Sequence, residues 1–263
     1  MNQRRNLVLG LGKTGVSVVH WLAARGESVI VNDSRPHPPG AAEIDLLCNH
    51  VSVRYGGFDT QLLADVDRVV ISPGVSRKEC IAREAAARGI PVVGDIELFA
   101  ENALAPVIAV TGTNGKSTVT TLVAAMIIAA GLKAHAGGNL GDPALALLER
   151  DVPDYYVLEL SSYQLESTNS LRLQAAAVLN VTADHMDRYE DLVEYAGAKE
   201  RIFLHAEAGI VNADDPMVSQ MNLYAAQKIR FSLRDSTAEY CRTNTSIVCR
   251  GKPIMRQIGR AHV

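Results

Sequence analysis

Short apolar runs alternate along this chain with longer stretches whose apolar residues recur at the spacing of a helix. In the first third, the pattern predicts strands at 6–10, 28–32, 68–72 and 90–93 and helices at 16–25 and 79–88. Such alternation is typical of βα units packed around a mostly parallel sheet. The first third is therefore predicted to form one doubly wound α/β unit.

The same rhythm starts again after a connector at 94–106, which is predicted to hold a short helix of its own. It predicts strands at 107–111, 154–160, 175–181 and 209–212, helices at 117–130 and 191–204, and a hairpin near 240–248. We place the domain boundary near Gly94. The predicted fold class is α/β, with a Rossmann-like N-terminal domain over 1–94 followed by a second α/β domain over 95–263.

Composition and charge narrow the class of protein. The 263 residues are 48% hydrophobic and 21% charged, as in globular proteins, and their formal net charge is −3. A chain without a basic excess is not suited to non-specific nucleic-acid binding, and no apolar run reaches the ~18 residues that cross a bilayer. We therefore expect a cytoplasmic protein with no nucleic-acid or membrane partner. The cysteines form no C-x-x-C pair and are expected to be reduced: Cys48, Cys80, Cys241 and Cys249.

The first predicted strand runs into a glycine loop, G-L-G-K-T-G at 10–15, and Asp33 ends the next strand. This spacing is the dinucleotide fingerprint, in which the glycines allow a tight turn and the acidic residue accepts a ribose hydroxyl. The loop alone is a weak signal. It leaves open NAD or FAD, another nucleotide-linked ligand, and a purely structural turn.

The second domain opens with a stronger phosphate-binding motif, T-G-T-N-G-K-S-T at 111–118, between a buried strand and a helix. Backbone N–H groups of such a loop bind ATP phosphates, Lys116 supplies a cation, and the Ser117 or Thr118 hydroxyl is placed to bind Mg²⁺. The candidate nucleotide-binding residues are Gly112, Thr113, Asn114, Gly115, Lys116, Ser117 and Thr118. Val110 stands where the general P-loop pattern has its first glycine, which points to a narrower subfamily.

Polar residues follow two later strands. Glu159 interrupts an apolar run, and a carboxylate buried there needs either a metal ion or a buried cation as partner. Ser161 and Gln164 follow at the same sheet edge and are candidates for substrate contact. His185 lies in a polar stretch after the next strand, where a metal or phosphate role competes with a structural one. Composition and spacing assign no function to Lys199.

Together these residues resemble the Mur ligase family, ATP-dependent enzymes that form amide bonds in cell-wall precursor synthesis. The resemblance extends from the first strand to about Pro216, and four stretches carry it: 111–118, G-N-L-G at 138–141, L-E-L-S-S-Y-Q-L-E at 158–166, and 180–189. It implies ATP and Mg²⁺ as cofactors. It also implies UDP-N-acetylmuramoyl-L-alanine and D-glutamate as substrates, and we expect a monomer.

The resemblance also implies residue roles. Substrate contacts would come from Thr14, Asp33, Ser34, Arg35, Ser72, Pro73, Gly74, Asn139 and His185. One Mg²⁺ would be bound by Ser117 and Glu159, and a second by His185. Lys199 matches a family lysine that is carbamylated, a change that replaces a cation with an anion able to bind the second metal. The implied catalytic set is Lys116, Glu159, His185 and Lys199.

In the implied mechanism, ATP phosphorylates the substrate carboxylate, and the amine of D-glutamate attacks the acyl phosphate without any side-chain nucleophile. The family has a third domain, which we expect to be absent here. We therefore expect substrate binding with little turnover, an incomplete central domain, and strands beyond Ser232 that lack pairing neighbours. The alternatives are a folylpolyglutamate-type or other Mur ligase, an NAD-dependent oxidoreductase, and a non-catalytic nucleotide-binding fragment.

Overall fold

The computed structural model describes residues 4–44, 47, 51–225 and 227–256. Cys48 and the ending at 257–263 lie outside the described residues. Contacts divide the chain into two compact units. The first unit comprises the described residues up to Ala105 together with His135–Asp154 and Tyr163–Leu171, and the second comprises Pro106–Ala134, Tyr155–Ser162 and the described residues from Arg172 onward.

The first unit is built on a five-stranded parallel sheet in the order β3-β2-β1-β4-β5. Its strands are β1 (Arg5–Leu9), β2 (Ser28–Asp33), β3 (Val51–Tyr55), β4 (Arg68–Ile71) and β5 (Val92–Val93). Its helices include α1 (Lys13–Ala24), α2 (Ala41–Ile44), α3 (Cys80–Ala87) and α4 (Asp95–Ala100), and a 3₁₀ turn covers Thr60–Asp65. The strand order reverses between β1 and β4, which is where doubly wound sheets bind ligands.

The central strands of this sheet are buried on both faces. Every residue of β4, and every residue of β1 after Arg5, is buried. Leu7, Leu9 and Ile71 pack in one apolar cluster with Ile81 of α3. Continuous burial explains the apolar runs at 7–9 in β1 and at 69–71 in β4.

The second unit contains most of a larger sheet, in the order β8-β6-β9-β10-β11-β12-β13-β14. Its strands are β6 (Val107–Thr111), β8 (Tyr155–Glu159), β9 (Leu173–Val178), β10 (Ala206–Asn212), β11 (Gln227–Ser232), β12 (Tyr240–Arg242), β13 (Ser246–Cys249) and β14 (Lys252–Arg256). The remaining elements of the chain are α5 (Lys116–Ala129), β7 (Ala134–Gly138), α6 (Ala144–Leu147), α7 (Ser162–Glu166), α8 (Leu192–Glu200), a 3₁₀ turn at Arg201–Phe203 and α9 (Pro216–Ser219). Among the described residues, no helix is long and apolar enough to cross a membrane.

Strand β6 lies between β8 and β9, and both pairings are parallel. In this register Val110 pairs with Glu159 of β8, and Thr111 pairs with Val178 of β9. Parallel strands end at the same edge of a sheet, so the segments that follow β6, β8 and β9 start side by side. This edge positions the second unit's candidate site.

The α/β fold class is confirmed, and four strands are additions to the sequence prediction. Strand β3 is an edge strand with alternating exposure, β7 has the sequence A-H-A-G-G with little strand propensity, β11 carries Lys228 and Arg230, and β14 follows the predicted hairpin. The predicted hairpin is confirmed, since β12 and β13 pair antiparallel. The expectation that strands beyond Ser232 lack neighbours is wrong, because β12 pairs with β11 and β14 pairs with β13.

Helix α4 begins with a carboxyl group in the interior of the first unit. Asp95 exposes 2% of its surface, and its Oδ2 accepts a hydrogen bond of 2.9 Å from Nε2 of Gln164. Burial raises the pKa of Asp95 to about 6, although the Gln164 bond opposes the rise. At neutral pH the folded protein therefore holds a buried carboxylate at a net cost.

We expect Asp95→Asn to stabilise the protein at pH 7.5, by as much as about 3 kcal/mol, because the neutral amide still accepts from Gln164. The pKa of Asp95 is higher in the folded than in the unfolded chain, so its contribution to stability is full below pH ~4 and is lost as pH rises through about 6. Urea unfolding of both proteins at pH 4.5 and 7.5 measures this. Equal pH dependence in the two proteins would contradict the assignment.

Candidate functional site

The first unit has an open cleft of about 460 Å³ near the carboxyl ends of β1, β2 and β4. Its lining includes the glycine loop at 10–15, Asp33–Arg35 and Ser72–Val75. All seven substrate contacts predicted within these segments line this one cleft: Thr14, Asp33, Ser34, Arg35, Ser72, Pro73 and Gly74. Three chain segments that are far apart in sequence thus form one surface.

The fold requires glycine at two of the three glycine positions of the first loop. Gly10 has a left-handed φ of 87°, and a Cβ on Gly15 would lie 2.0 Å from the Gly10 carbonyl oxygen. Both positions need glycine for the fold itself. A Cβ on Gly12 would meet no atom within 4 Å. Gly12 lines the cleft, so the space beside it is open to a ligand.

Asp33 holds the loop and the rim of the cleft together. Its Oδ2 accepts 2.6 Å from Leu11 N and 2.7 Å from Arg35 Nη2. Burial raises the pKa of Asp33, but the hydrogen bonds from Arg35 and from the backbone lower it overall, so the carboxylate stays ionised. Arg35 is half-exposed, which leaves part of its guanidinium free of protein cover at the cleft.

The phosphate-binding loop of the second unit joins β6 to α5. Gly112 has φ 152° and Gly115 has φ 81°, and a Cβ on Gly112 would lie 3.1 Å from Leu179 Cβ. The first N–H groups of a helix have no acceptor within the helix, and the helix dipole favours an anion there. Helix α5 therefore presents a site for phosphate at Lys116–Thr118.

A carboxylate lies beside this helix start. Glu159, 2% exposed at the end of β8, accepts a hydrogen bond of 2.7 Å from Ser117 Oγ. A hydroxyl and a carboxylate oxygen are the hard ligands that Mg²⁺ prefers. The described residues contain no group of three or more His, Cys, Asp or Glu side chains able to bind a metal. A Mg²⁺ held by Ser117 and Glu159 would thus need further oxygens from nucleotide and water.

Two lysines bind consecutive carbonyls of the loop. Lys116 Nζ donates to Thr113 O at 2.9 Å, and Lys199 Nζ donates to Gly112 O at 2.9 Å. Lys199 is 1% exposed, and its Nζ lies 4.4 Å from the ring centroid of Tyr195. Burial first, and the charge of Lys116 second, lower the pKa of Lys199 to about 7. The structure thus places at the loop a lysine to which spacing alone assigned no role.

His185 lies in the same unit, after β9. It has a left-handed φ of 56°, a conformation rare for a residue with a side chain and common at functional sites. Its Nε2 is 3.5 Å from Asp184 Oδ2, and its ring centroid is 6.3 Å from that of Tyr195.

Sequence reasoning missed two residues at this site. Tyr195 is buried, and its hydroxyl lies 3.3 Å from Thr113 Oγ1. It precedes Lys199 by four residues on α8, and this spacing places both residues on one helix face. The spacing could have identified Tyr195 from the sequence. Asn180 contacts the loop backbone directly. Only its place after a buried strand, in a polar stretch, hinted at this.

Three predicted substrate contacts lie elsewhere. Asn139 is exposed in the turn after β7, in the first unit, and Ser161 follows β8 in the second. Gln164 is 2% exposed, and its amide donates to Asp95 in the interior of the first unit. A substrate would reach this amide only after that bond broke. The substrate roles of these three residues and of His185 remain predictions.

Two protein-family models match this chain, and each match includes one of the two glycine loops. Residues 4–94 match the family model for the Mur ligase MurD-like N-terminal domain, and residues 110–256 match that for the Mur ligase middle domain. The chain belongs to the Mur ligase family. The resemblance inferred from the motifs is thereby confirmed.

Two proteins with similar sequences carry the same name. A UDP-N-acetylmuramoylalanine--D-glutamate ligase from Nitrosococcus oceani is 52% identical over 228 residues, which are 87% of this chain and 50% of the relative. A ligase of the same name from Coxiella burnetii is 44% identical over 253 residues, 95% of this chain and 57% of the relative. The chain spans about half the length of the curated relatives it matches.

Solved structures share the fold. A UDP-N-acetylmuramate:L-alanyl-gamma-D-glutamyl-meso-diaminopimelate ligase from Neisseria meningitides has a TM-score of 0.61 at 18% identity, covering 95% of this chain and 86% of that one. MurC from Thermotoga maritima has a TM-score of 0.56 at 18% identity, covering 96% and 60%. At this identity the likeness shows the fold alone.

We expect Glu159→Gln to weaken ATP binding about tenfold in the presence of Mg²⁺ and much less in EDTA, because a metal ligand acts only through the metal. Titration with ATP under both conditions measures the difference. Glu207→Gln, an exposed change on β10, is the matched control and should alter neither. Equal losses with and without Mg²⁺ would show that Glu159 serves the fold rather than a cation.

Proposed function

We propose that this chain is the UDP-substrate-binding and ATP-binding part of a ligase that joins D-glutamate to UDP-N-acetylmuramoyl-L-alanine in peptidoglycan precursor synthesis. The observation on which the proposal depends most is the 52% identity to a UDP-N-acetylmuramoylalanine--D-glutamate ligase over 228 residues, which are 87% of the chain. In this proposal residues 1–94 bind the UDP substrate and 95–263 form the ATP-binding domain.

The cleft of the first unit supports the UDP assignment. Helix α1 begins at Lys13, beside the open space at Gly12, so its unpaired N–H groups and its dipole favour a diphosphate there. Arg35 adds a guanidinium at the rim, and guanidinium groups hold phosphate with paired hydrogen bonds. Thr14 and Ser72–Gly74 complete the lining.

The second unit supports the ATP assignment. The start of α5 would take the phosphates, Lys116 would offset their charge, and Ser117 with Glu159 would hold the Mg²⁺ that neutralises the transferring phosphoryl group. A second Mg²⁺ would be held by His185 and a carbamylated Lys199. Lys199 donates to Gly112 O, and a carbamylated Nζ would keep one N–H with which to make that bond.

The chemistry follows from positioning and charge. The γ-phosphoryl group of ATP would pass to the carboxylate of the UDP substrate, and the amine of D-glutamate would displace phosphate from the resulting acyl phosphate. This sequence requires no side-chain nucleophile. The chain's contribution is to hold the two substrates and to offset negative charge as the phosphoryl group moves.

The test is calorimetric titration of the chain with UDP-N-acetylmuramoyl-L-alanine and, separately, with NADH. We expect the UDP compound to bind and NADH not to bind. Gly12→Ala should weaken binding at least about tenfold while leaving the melting temperature unchanged, because its methyl group would occupy cleft space without touching the protein.

Gly197→Ala is the matched control. It also adds a methyl group in open space, but on α8 of the second unit, and should leave binding of the UDP compound unchanged. Tight NADH binding without any response to the UDP compound would overturn the proposed function and favour an oxidoreductase.

A further inference from the structure

The side chain of Asn180 is bonded to the backbone of the phosphate-binding loop. Its Oδ1 accepts from Thr113 N at 3.1 Å and from Asn114 N at 2.8 Å, and its Nδ2 donates to Asn114 O at 3.0 Å. Both ends of one carboxamide are therefore used on two consecutive loop residues. Asn180 itself is half-buried, whereas Asn114 is exposed.

The backbone around Asn180 extends the same contact. Leu179 N donates to Thr111 O at 3.0 Å, and Thr113 N donates to Asn180 O at 2.9 Å. Thr182 N donates to Thr113 Oγ1 at 3.0 Å. The segment after β9 thus runs beside the loop after β6 and continues the pairing of the two strands. At Asn114 the hydrogen bonds are made by the side chain of Asn180 instead of its backbone.

We propose that Asn180 is a positioning residue that fixes the phosphate-binding loop in its nucleotide-receiving conformation. With Lys199 on Gly112 O and Lys116 on Thr113 O, the Asn180 carboxamide completes the fixation of the loop. The N–H groups of Thr113 and Asn114 donate to Asn180. The N–H groups of Gly115 and of the first turn of α5 are then the ones left to bind phosphate. This inference rests on the proposed ATP site.

The experiment compares Asn180→Ala with the wild-type chain by amide hydrogen exchange and by ADP titration. Removing the carboxamide should speed exchange of the Asn114 amide about tenfold and weaken ADP binding about tenfold, since each lost hydrogen bond frees an exposed loop. Binding of UDP-N-acetylmuramoyl-L-alanine to the first unit should not change.

Two further variants separate positioning from general destabilisation. Asn102→Ala removes a carboxamide that likewise bonds backbone, at Leu98 O, but in the first unit and without a bond to the loop, so it should change neither readout. Asn180→Asp keeps an acceptor for Asn114 N–H, so it should restore slow exchange. Its added negative charge should still weaken ADP binding, by a factor that shrinks as salt is raised.

Unchanged ADP affinity in Asn180→Ala, with wild-type ADP binding intact, would overturn this inference alone. Fast Asn114 exchange in Asn180→Asp would also overturn it, because the acceptor would then not be the cause. Absence of ADP binding by the wild-type chain would instead overturn the proposed function, and the inference with it.

Discussion

Backbone N–H groups at the starts of two helices are the feature on which both sites depend. Helices α1 and α5 each follow a buried parallel strand through a glycine turn, and the first amides of a helix have no acceptor within it. The turns stay open because Gly10 and Gly115 take left-handed conformations that other residues rarely adopt. An anion at each helix start would satisfy those donors. Two phosphate-bearing ligands are the simplest occupants.

The two sites differ in how charge is supplied. In the first unit Asp33 pairs with Arg35, so the guanidinium at the cleft is already partly neutralised and oriented. In the second unit two lysines contact one short loop, and the low pKa of Lys199 reflects first its burial and second the nearby charge of Lys116. Glu159 and Ser117 add a carboxylate and a hydroxyl at the same helix start. This arrangement suits a nucleotide with a bound cation better than a bare phosphate.

Strands that bury apolar residues almost continuously were predictable. The strands β1, β4, β6 and β8 are such runs, and their predicted positions agree with the structure within one or two residues. The strands that the sequence pattern did not predict are not stabilised by continuous apolar burial. Two of the five residues of β3 are exposed, and β11 is held by pairing with β10 although its charged residues are partly or fully exposed. Backbone hydrogen bonds between strands do not depend on apolar side chains, so such strands are hard to recognise from the hydrophobic pattern of the sequence.

The sequence by itself determined the α/β class and both glycine loops, because each of these depends on residues close together in the chain, and it singled out Glu159 as a carboxylate within an apolar run. Tertiary structure decided which distant segments meet. The parallel register of β6 with β9 brings Asn180 to Asn114, and helix α8 brings Lys199 to Gly112. It also buries Gln164 against Asp95. Periodicity reports that an element is buried but not against what, so only strand order and register could assign these partners.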